Sequence, residues 1–481
     1  MSTTAHLTST ICAPATPQGV GALALIRMSG PQALEIAGKV FHSASCPDIK
    51  QSEGYRTYFG HVRDSAGELL DEVLLSVFRA PHSYTGEDSV EISCHGSLYI
   101  QDTLLRTLVE KGAVLAGPGE FSQRAFMNGK MDLAQAEAVA DLIASENRTS
   151  HKLAMDQMRG VFSQEMSALR SRLLELASLM ELELDFSDED VEFADKTEVR
   201  SLVDSLVVSI GKLCVSFSMG NAMKKGVPVA IAGLVNAGKS TLLNALLGEE
   251  KALVTPVAGT TRDTIEDVLV VDGIPFRFID TAGLRHIGQV DEMSQEHVEK
   301  LGVKRSLETI RSASVLMLVL DASRPETFTE SLQSVATFKN EYILFIINKI
   351  DLVYNKDVIF QEFMNNLCNT FVTLNKSNTS TLLLSAAKNI GIEDIKNTLV
   401  SMIRPNLDRN AIILTNLRHY QELCAAGEAL KRVSEGLDSG LSTDLLTPDL
   451  RQALHHIGSI TGEITPDDIL GEIFGRFCIG K

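Results

Sequence analysis

The sequence holds no Cys-x-x-Cys pair, no excess of basic residues, and no uninterrupted apolar run near the ~18 residues of a membrane span. Each absence removes a class of protein. The seven cysteines (12, 46, 94, 214, 368, 424 and 478) are scattered and odd in number. That argues against a zinc ribbon or a secreted disulfide framework and for a reducing cytosol. The Asn-x-Ser/Thr sequons at Asn147 and Asn378 then carry no meaning. The longest apolar runs, Val315–Leu320 and Tyr342–Ile347, fall far short of a spanning helix, and Met1–Thr10 lacks the basic start and apolar stretch of a signal peptide. A cytoplasmic protein with no membrane partner is expected. Lys and Arg number 44 against 62 Asp and Glu, a formal net charge of −18. Phosphate backbones are held by cations, so this balance argues against nonspecific coating of nucleic acid. RNA held by a local patch or through a partner is still compatible with it.

What is present points to several domains. A chain of 481 residues is too long for one ordinary core and suggests about three domains. With 44% hydrophobic and 22% charged residues it excludes wholesale disorder and collagen-like repeats. The first part reads as mixed α+β, with strands at Gly21–Met28, Tyr55–Val62, Val73–Phe78 and Val90–Cys94 and a helix at Leu98–Glu110 stopped by Lys111-Gly112. From Ser122 to Met219, Ala, Leu, Met and Glu dominate and Pro is absent, the composition of packed helices, with Asp185–Asp190 as a solvated break. After Lys224-Lys225-Gly226, strands and helices alternate to about Met402.

The tail is helical again: Ile413, Leu417, Tyr420, Cys424 and Leu430 recur near the helical period. Thr447-Pro448-Asp449 and Thr465-Pro466-Asp467 read as two helix starts, each a side-chain cap followed by Pro. Leu470, Ile473, Phe474 and Phe477 form an apolar stripe that so short a tail cannot bury alone. Packing the tail on the 122–219 helices makes the α/β segment an insertion into one helical domain. The expected boundaries are 1–121, 122–223, 224–403 and 404–481. No internal repeat is evident.

The inserted segment carries the chemistry. Val229–Gly233 is a buried-strand pattern that runs into Gly233-Leu-Val-Asn-Ala-Gly-Lys239-Ser240 and then a helix, the required context of a P-loop. Its glycines let backbone N–H groups close on phosphates, Lys239 reaches the β/γ oxygens, and Ser240 offers a hydroxyl to magnesium. Asn236, Ala237, Gly238 and Thr241 complete the loop. Asp280-Thr281-Ala282-Gly283 follows the strand Phe276–Ile279 and suits the magnesium shell and the γ-phosphate. Gly259-Thr260-Thr261-Arg262-Asp263 fits a switch segment that offers a Thr hydroxyl to the metal. Asn348-Lys349-Ile350-Asp351 places a carboxylate where guanine presents two donors, a pattern adenine lacks, and Ser385-Ala386 fits the base-clamping loop. Order and spacing together say GTPase. Leu284 stands where Ras-like proteins carry a water-orienting Gln, so that group must come from elsewhere. Asn236 could coordinate a monovalent cation beside the phosphates or could simply shape the loop.

Beyond the GTPase set, the chain resembles the MnmE (TrmE) family of tRNA-modification GTPases. The resemblance rests on Ala24–Gly30, Tyr84-Thr-Gly-Glu87-Asp88, Pro118–Phe126, Asn128–Glu137, the five nucleotide motifs and the terminal Cys478-Ile-Gly-Lys481. It implies an α+β folate-binding N-terminal domain that also dimerises, an all-α helical domain, and an inserted α/β Ras-like P-loop domain. It also implies a potassium-activated hydrolase that works with the FAD-containing protein MnmG, in a heterotetramer or larger complex, on tRNA. The matching potassium ligands are Asn236, the backbones of Thr255 and Val257, and Thr260; the magnesium ligands are Ser240 and Thr261. Pro256, Ala258 and Gly259 belong to the same nucleotide-contacting stretch. Arg27, Glu91, Lys130 and Lys481 match the contacts to 5-formyltetrahydrofolate or a related one-carbon donor. Cys478 matches a cysteine tied to the modification chemistry, and Arg285 and Glu299 are the other catalytic candidates.

The chain departs from the family at Leu234-Val235 in the P-loop, at Ser97, and in a lengthened segment between Arg285 and Val298. Counting from Asp280 at the usual interval would select Glu292 as the water-orienting Glu, whereas the local Val-Glu-x-x-Gly pattern selects Glu299. The local pattern is preferred because a group that positions water needs an element of fixed geometry. Two other readings compete: a ribosome-assembly GTPase, which typically adds a basic RNA-binding module, and a folate aminomethyltransferase, which leaves the GTPase motifs without a use.

Overall fold

The structure, a computed structural model, describes residues 8–185, 196–248, 267–279, 311, 313–335, 340–370, 378–403, 413–464, 467–475, 477 and 480. The chain divides into two compact units, one of residues 1–144, 154–211 and 421–481, the other of 145–153 and 212–420.

The first unit is built on seven strands: β1 (Ile11–Pro14), β2 (Leu23–Ser29), β3 (Phe41–His42), β4 (Arg56–Arg63), β5 (Leu69–Phe78), β6 (Ser89–His95) and β7 (Val114–Leu115). Their order is β3-β4-β5-β6-β2-β1-β7. All neighbours are antiparallel except β1 and β7. The period of two is plain in β5 and β6, where Val73, Leu75, Val77, Val90, Ile92 and Cys94 face inward. Helices α1 (Ala33–Val40) and α2 (Leu98–Glu110) close that face, with Ile36, Val40, Leu104 and Leu108 in the same core. Each such aliphatic side chain contributes about 2 kcal/mol by leaving water. Burial also pushes the Cys12 thiol up to about 12, so it behaves as a small hydrophobe. On the outer face, Phe59 and Leu74 lie opposite each other across β4 and β5 and are both exposed.

The four strands and the α2 helix read from sequence are present, with ends moved by a few residues. β1, β3, β7 and α1 were not legible, because each is short and β1 ends on a proline.

The helices of this unit are α3 (Glu120–Met127), α4 (Leu133–Ile143), part of α5 (Arg148–Met158), α6 (Val161–Asp185), and parts of α7 (Lys196–Lys225) and α12 (Leu417–Asp438), with α13 (Thr443–Thr461) and α14 (Asp467–Gly475). Phe162, Met166, Leu169, Leu173, Leu176 and Met180 make one buried stripe along α6, and α13 lies against α6 with Leu446, Leu450, Ala453, Ile457 and Ile460 buried. The tail's last helix buries its stripe on α3 and α4, where Leu470 and Phe474 join Leu133 and Ala136.

Two sequence readings need correction. Helix α13 starts at Thr443 after Ser442, a full turn before Thr447, and Pro448 lies inside it. The burial of both Leu446 and Leu450 outweighs the proline's local cost. Secondly, α7 is apolar over a long stretch that polar residues interrupt. Its Val199–Lys224 stretch is long and apolar enough to cross a membrane by length and composition alone. In this fold its Val203, Leu206 and Ile210 are buried, and Arg200 pairs with Asp438 on α12.

Among the described residues, Arg124 on α3 is the largest fully buried side chain. It donates to the Ser9 carbonyl at 2.6 Å and pairs with Glu120 at 2.8 Å and Glu87 at 3.2 Å. The helix is thereby fastened to the loop that carries Tyr84–Asp88.

The second unit holds a six-stranded sheet of order β13-β12-β11-β8-β10-β9. The strands are β8 (Val227–Ala232), β9 (Asp267–Val271), β10 (Ile274–Ile279), β11 (Val315–Asp321), β12 (Tyr342–Asn348) and β13 (Thr379–Leu383). All pairings are parallel except the β9–β10 hairpin. Every residue of β11 and β12 is buried, as parallel strands covered on both faces require. One face is covered by α8 (Lys239–Leu247) and α11 (Ile392–Ile403), the other by α9 (Phe328–Val335) and α10 (Lys356–Thr370). In such a doubly wound sheet, ligands bind beyond the carboxyl ends of the strands. That is where the P-loop, Asn348 and Ser385 stand.

Two glycines of the first unit separate backbone strain from crowding. Gly462, the cap of α13, has φ +90°, and an added Cβ would lie 2.7 Å from the Phe126 ring. Gly440 has φ +69° with open space around it. Gly440→Ala should cost ~1 kcal/mol from the left-handed backbone alone, and Gly462→Ala ~3 kcal/mol once overpacking is added. Urea unfolding followed by circular dichroism checks this; equal midpoints for the two variants would contradict it.

Candidate nucleotide-binding site

The P-loop begins where β8 ends. Gly233 has φ +141°, and a Cβ there would run into the Val319 carbonyl of β11, so only glycine lets the chain turn off the sheet. Asn236 adopts φ +65°, and Gly238, the residue before α8, adopts φ +95°. The α8 N-terminus therefore opens with its unpaired N–H groups toward the loop, the arrangement that binds phosphate. Lys239 Nζ donates to the Gly233 carbonyl at 2.6 Å and the Leu234 carbonyl at 2.8 Å. Burial lowers its pKa, and the two carbonyls hold the cation in the middle of the loop. Ala237 is buried, whereas the side chains of Asn236, Ser240 and Thr241 are exposed. Ser240 thus presents a hard oxygen at the mouth of the loop, the donor type magnesium takes while it keeps several waters. The Asn236 amide is likewise open to a cation.

Asn348 ties the pieces together. It is almost fully buried at the end of β12; its Nδ2 donates to the Ala237 carbonyl at 3.0 Å, and its Oδ1 accepts from the Ala386 N–H at 3.0 Å. A Cβ on Gly238 would strike that same amide. Phosphate loop and base-side loop thus share one side chain. Lys349 follows in the left-handed region at φ +64° and pairs with Asp321 at 2.6 Å. Asp351 is exposed one turn further on. The Ser385 hydroxyl is wholly buried and finds no hydrogen-bond partner among the described residues. An orphaned buried hydroxyl costs ~1–3 kcal/mol, the kind of loss a ligand makes good. Asp321 was not singled out from sequence, although a carboxylate ending an otherwise all-apolar strand is itself a signal.

The structure therefore brings together Asn236, Ala237, Gly238, Lys239, Ser240 and Thr241 with Asn348, Lys349, Asp351, Ser385 and Ala386. Thr255, Pro256, Val257, Ala258, Gly259, Thr260, Thr261, Asp280, Thr281, Ala282, Gly283, Arg285 and Glu299 lie outside the described residues, as does Glu292.

In the first unit, Arg27 on β2 and Glu91 on β6 face each other in register. They do not stand open: Arg27 Nε and Nη2 both donate to Glu91 Oε1 at 2.8 Å. The Arg27 guanidinium lies 5.3 Å from the Tyr84 ring centre and 5.8 Å from that of Phe121, and Nη1 approaches the Gly480 carbonyl at 3.5 Å. The Tyr84 hydroxyl bonds Ser122 at 2.8 Å; burial raises its pKa, against a smaller opposite pull from Ser122 and Arg27. Lys130 is exposed and donates to the Pro81 carbonyl at 2.9 Å. Gly480 sits against Pro14, and Gly119 against Phe474, so the end of the tail is seated on this domain. Cys478 and Lys481 lie outside the described residues.

Comparison with known proteins accounts for both units. A family model described as "MnmE helical domain" matches residues 133–478, and one described as "GTP-binding protein TrmE N-terminus" matches residues 10–130. The chain is 47% identical to the tRNA modification GTPase MnmE of Flavobacterium johnsoniae, covering 98% of this chain and 99% of that one. Against the protein of the same description from Christiangramia forsetii it is 48% identical, over 99% and 100%. Against that of Cytophaga hutchinsonii it is 46% identical over the whole of both. With relatives of this identity along its full length and a GTPase site built as described, the chain belongs to the MnmE family of tRNA modification GTPases.

Proposed function

We propose that this protein is a potassium-dependent GTPase that works with FAD-containing MnmG to modify certain tRNAs. The product is a carboxymethylaminomethyl group at C5 of the wobble uridine, with 5-formyltetrahydrofolate or a related tetrahydrofolate as the one-carbon donor. The observation that carries the hydrolase half is the Asn348 bridge between P-loop and base-side loop, beside a Lys239 already caged for phosphate.

In this reading Lys239 and the α8 N-terminus meet the β/γ-phosphates, and Asp351 and the Ser385–Ala386 loop read guanine. Ser240 and Thr261 would hold magnesium; Asn236, Thr255, Val257 and Thr260 would hold potassium. A monovalent cation there supplies the positive charge that other GTPases draw from an arginine finger. Glu299 orients the attacking water, and Arg285, which directly follows Leu284, is the other catalytic candidate of this segment. Arg27, Glu91, Lys130 and Lys481 hold the folate, with Glu91 Oε2 toward the donor edge of the pterin and the cations toward the acidic tail. Cys478 belongs to the modification step. The exposed Phe59–Leu74 pair supports dimerisation through the N-terminal domain. Free thiols at Cys12, Cys46, Cys94 and Cys368 fit a cytoplasmic protein.

GTP turnover should be about a hundredfold faster in potassium than in sodium at equal ionic strength, the scale of one preorganised electrostatic contact. Asn236→Ala should remove that difference. Equal rates in the two salts, or a variant that keeps the stimulation, would defeat the potassium assignment.

The folate assignment is tested at Glu91. A neutral amide there cannot serve as a charged acceptor, and charge-assisted bonds are roughly twice as strong as neutral ones. Glu91→Gln should weaken binding of 5-formyltetrahydrofolate about tenfold in a fluorescence titration and lower wobble-uridine modification in cells carrying only the variant. Unchanged affinity and modification would show that Glu91 merely pairs with Arg27.

A further inference from the structure

Asp321 lies in none of the nucleotide motifs, yet it is placed among them. It closes β11, opposite Asn348 in the parallel register with β12. The next residue, Ala322, donates its N–H to the Asn348 carbonyl at 2.9 Å. The two carboxylate oxygens have separate duties. Oδ1 accepts from the Ser323 N–H at 2.9 Å and the Ser323 hydroxyl at 2.6 Å, while Oδ2 accepts from Lys349 Nζ at 2.6 Å. The Asp321 side chain is 10% exposed and that of Lys349 29%, so the pair is largely sheltered from water.

The plain reading of Asp321 is a turn cap. Its bonds to Ser323, together with the Arg324 N–H to Asp321 carbonyl bond at 3.0 Å, close the turn 321–324. That role uses Oδ1 and the backbone; it gives no reason for Oδ2 to reach across to the neighbouring strand's end. Lys349 supplies the reason. It holds φ +64°, a conformation non-glycine residues rarely adopt, and it sits between Asn348, which grips the P-loop, and Asp351, the base-reading acid. A backbone held in a sparsely populated conformation at a functional site persists only where its surroundings fix it. The tether on Nζ is such a constraint, and the Ser323 bonds aim the carboxylate that makes it.

We propose that Asp321 is a positioning residue for guanine-nucleotide binding, which, by holding the Lys349 ammonium, sets the left-handed turn from Asn348 to Asp351 before nucleotide arrives. Asp321 itself touches no substrate. Burial acts to raise its pKa, and the bonds from Lys349 and Ser323 more than reverse this, so the carboxylate is ionised at neutral pH and keeps its grip.

The test is a double-mutant cycle on the full-length protein, read by release of methylanthraniloyl-GDP and by steady-state GTP turnover. Asp321→Asn should speed release about tenfold and raise KM for GTP by a similar factor, with kcat kept within about twofold, the pattern of lost binding rather than lost chemistry. In a Lys349→Met background the same substitution should change release by less than about twofold. Ser323→Ala, which leaves the ion pair but frees Oδ1, should speed release about twofold to threefold, and again only when Lys349 is present. This milder variant keeps the proposal testable should Asp321→Asn fold poorly. An equal effect of Asp321→Asn or Ser323→Ala in both Lys349 backgrounds would reduce Asp321 to a turn cap. Unchanged release from both variants would overturn the proposal outright.

Discussion

One buried amide carries the nucleotide site. Asn348 spends its donor on the P-loop at Ala237 and its acceptor on the loop that starts at Ser385, and the space for this exists because Gly238 has no side chain. It is the side chain that joins the P-loop to the two base-side loops, which are also linked to each other by the Ile350 N–H bond to the Leu384 carbonyl. A hydrogen bond in a site shut away from water is both stronger and costlier to lose than one at the surface. The phosphate side and the base side therefore rise and fall together.

The same economy recurs in the first unit with charges instead of amides. Arg124 is buried and doubly paired, so it serves as a fixed post between α3 and the Tyr84 loop. Arg27, on strand β2 of the same unit, is paired with Glu91 and framed by two aromatic rings. A ligand that uses Glu91 or Arg27 must share or displace that ion pair rather than meet bare charges. Partners of this kind are pre-oriented, at the expense of some affinity.

Legibility from sequence followed the strength of the local signal. The Val229–Gly233 strand, the P-loop and the Asn348–Asp351 motif were readable because function fixes residue type and spacing together. The helical character of 122–219 was readable from composition, and the β11 and β12 strands from unbroken apolar runs, because burial on both faces fills a whole strand with apolar residues. Short elements such as β3 and β7 carry too few residues for a period to emerge. The true start of α13 was hidden because Thr447-Pro448-Asp449 imitates a cap, while the actual N-cap Ser442 stands a full turn earlier. Asp321 was missed for another reason: its partner Lys349 is remote in sequence, and only the parallel register brings them side by side.

The caged Lys239 has a consequence for phosphate binding. Its ammonium rests on the Gly233 and Leu234 carbonyls, and these two bonds brace the loop from within. A cation left bare in that position would draw the loop inward or pull in a carboxylate, and each new nucleotide would have to undo the collapse. Here the phosphate finds a cradle that is already standing. A loop braced in this way loses little conformational freedom when phosphate binds, which is the advantage of preorganisation.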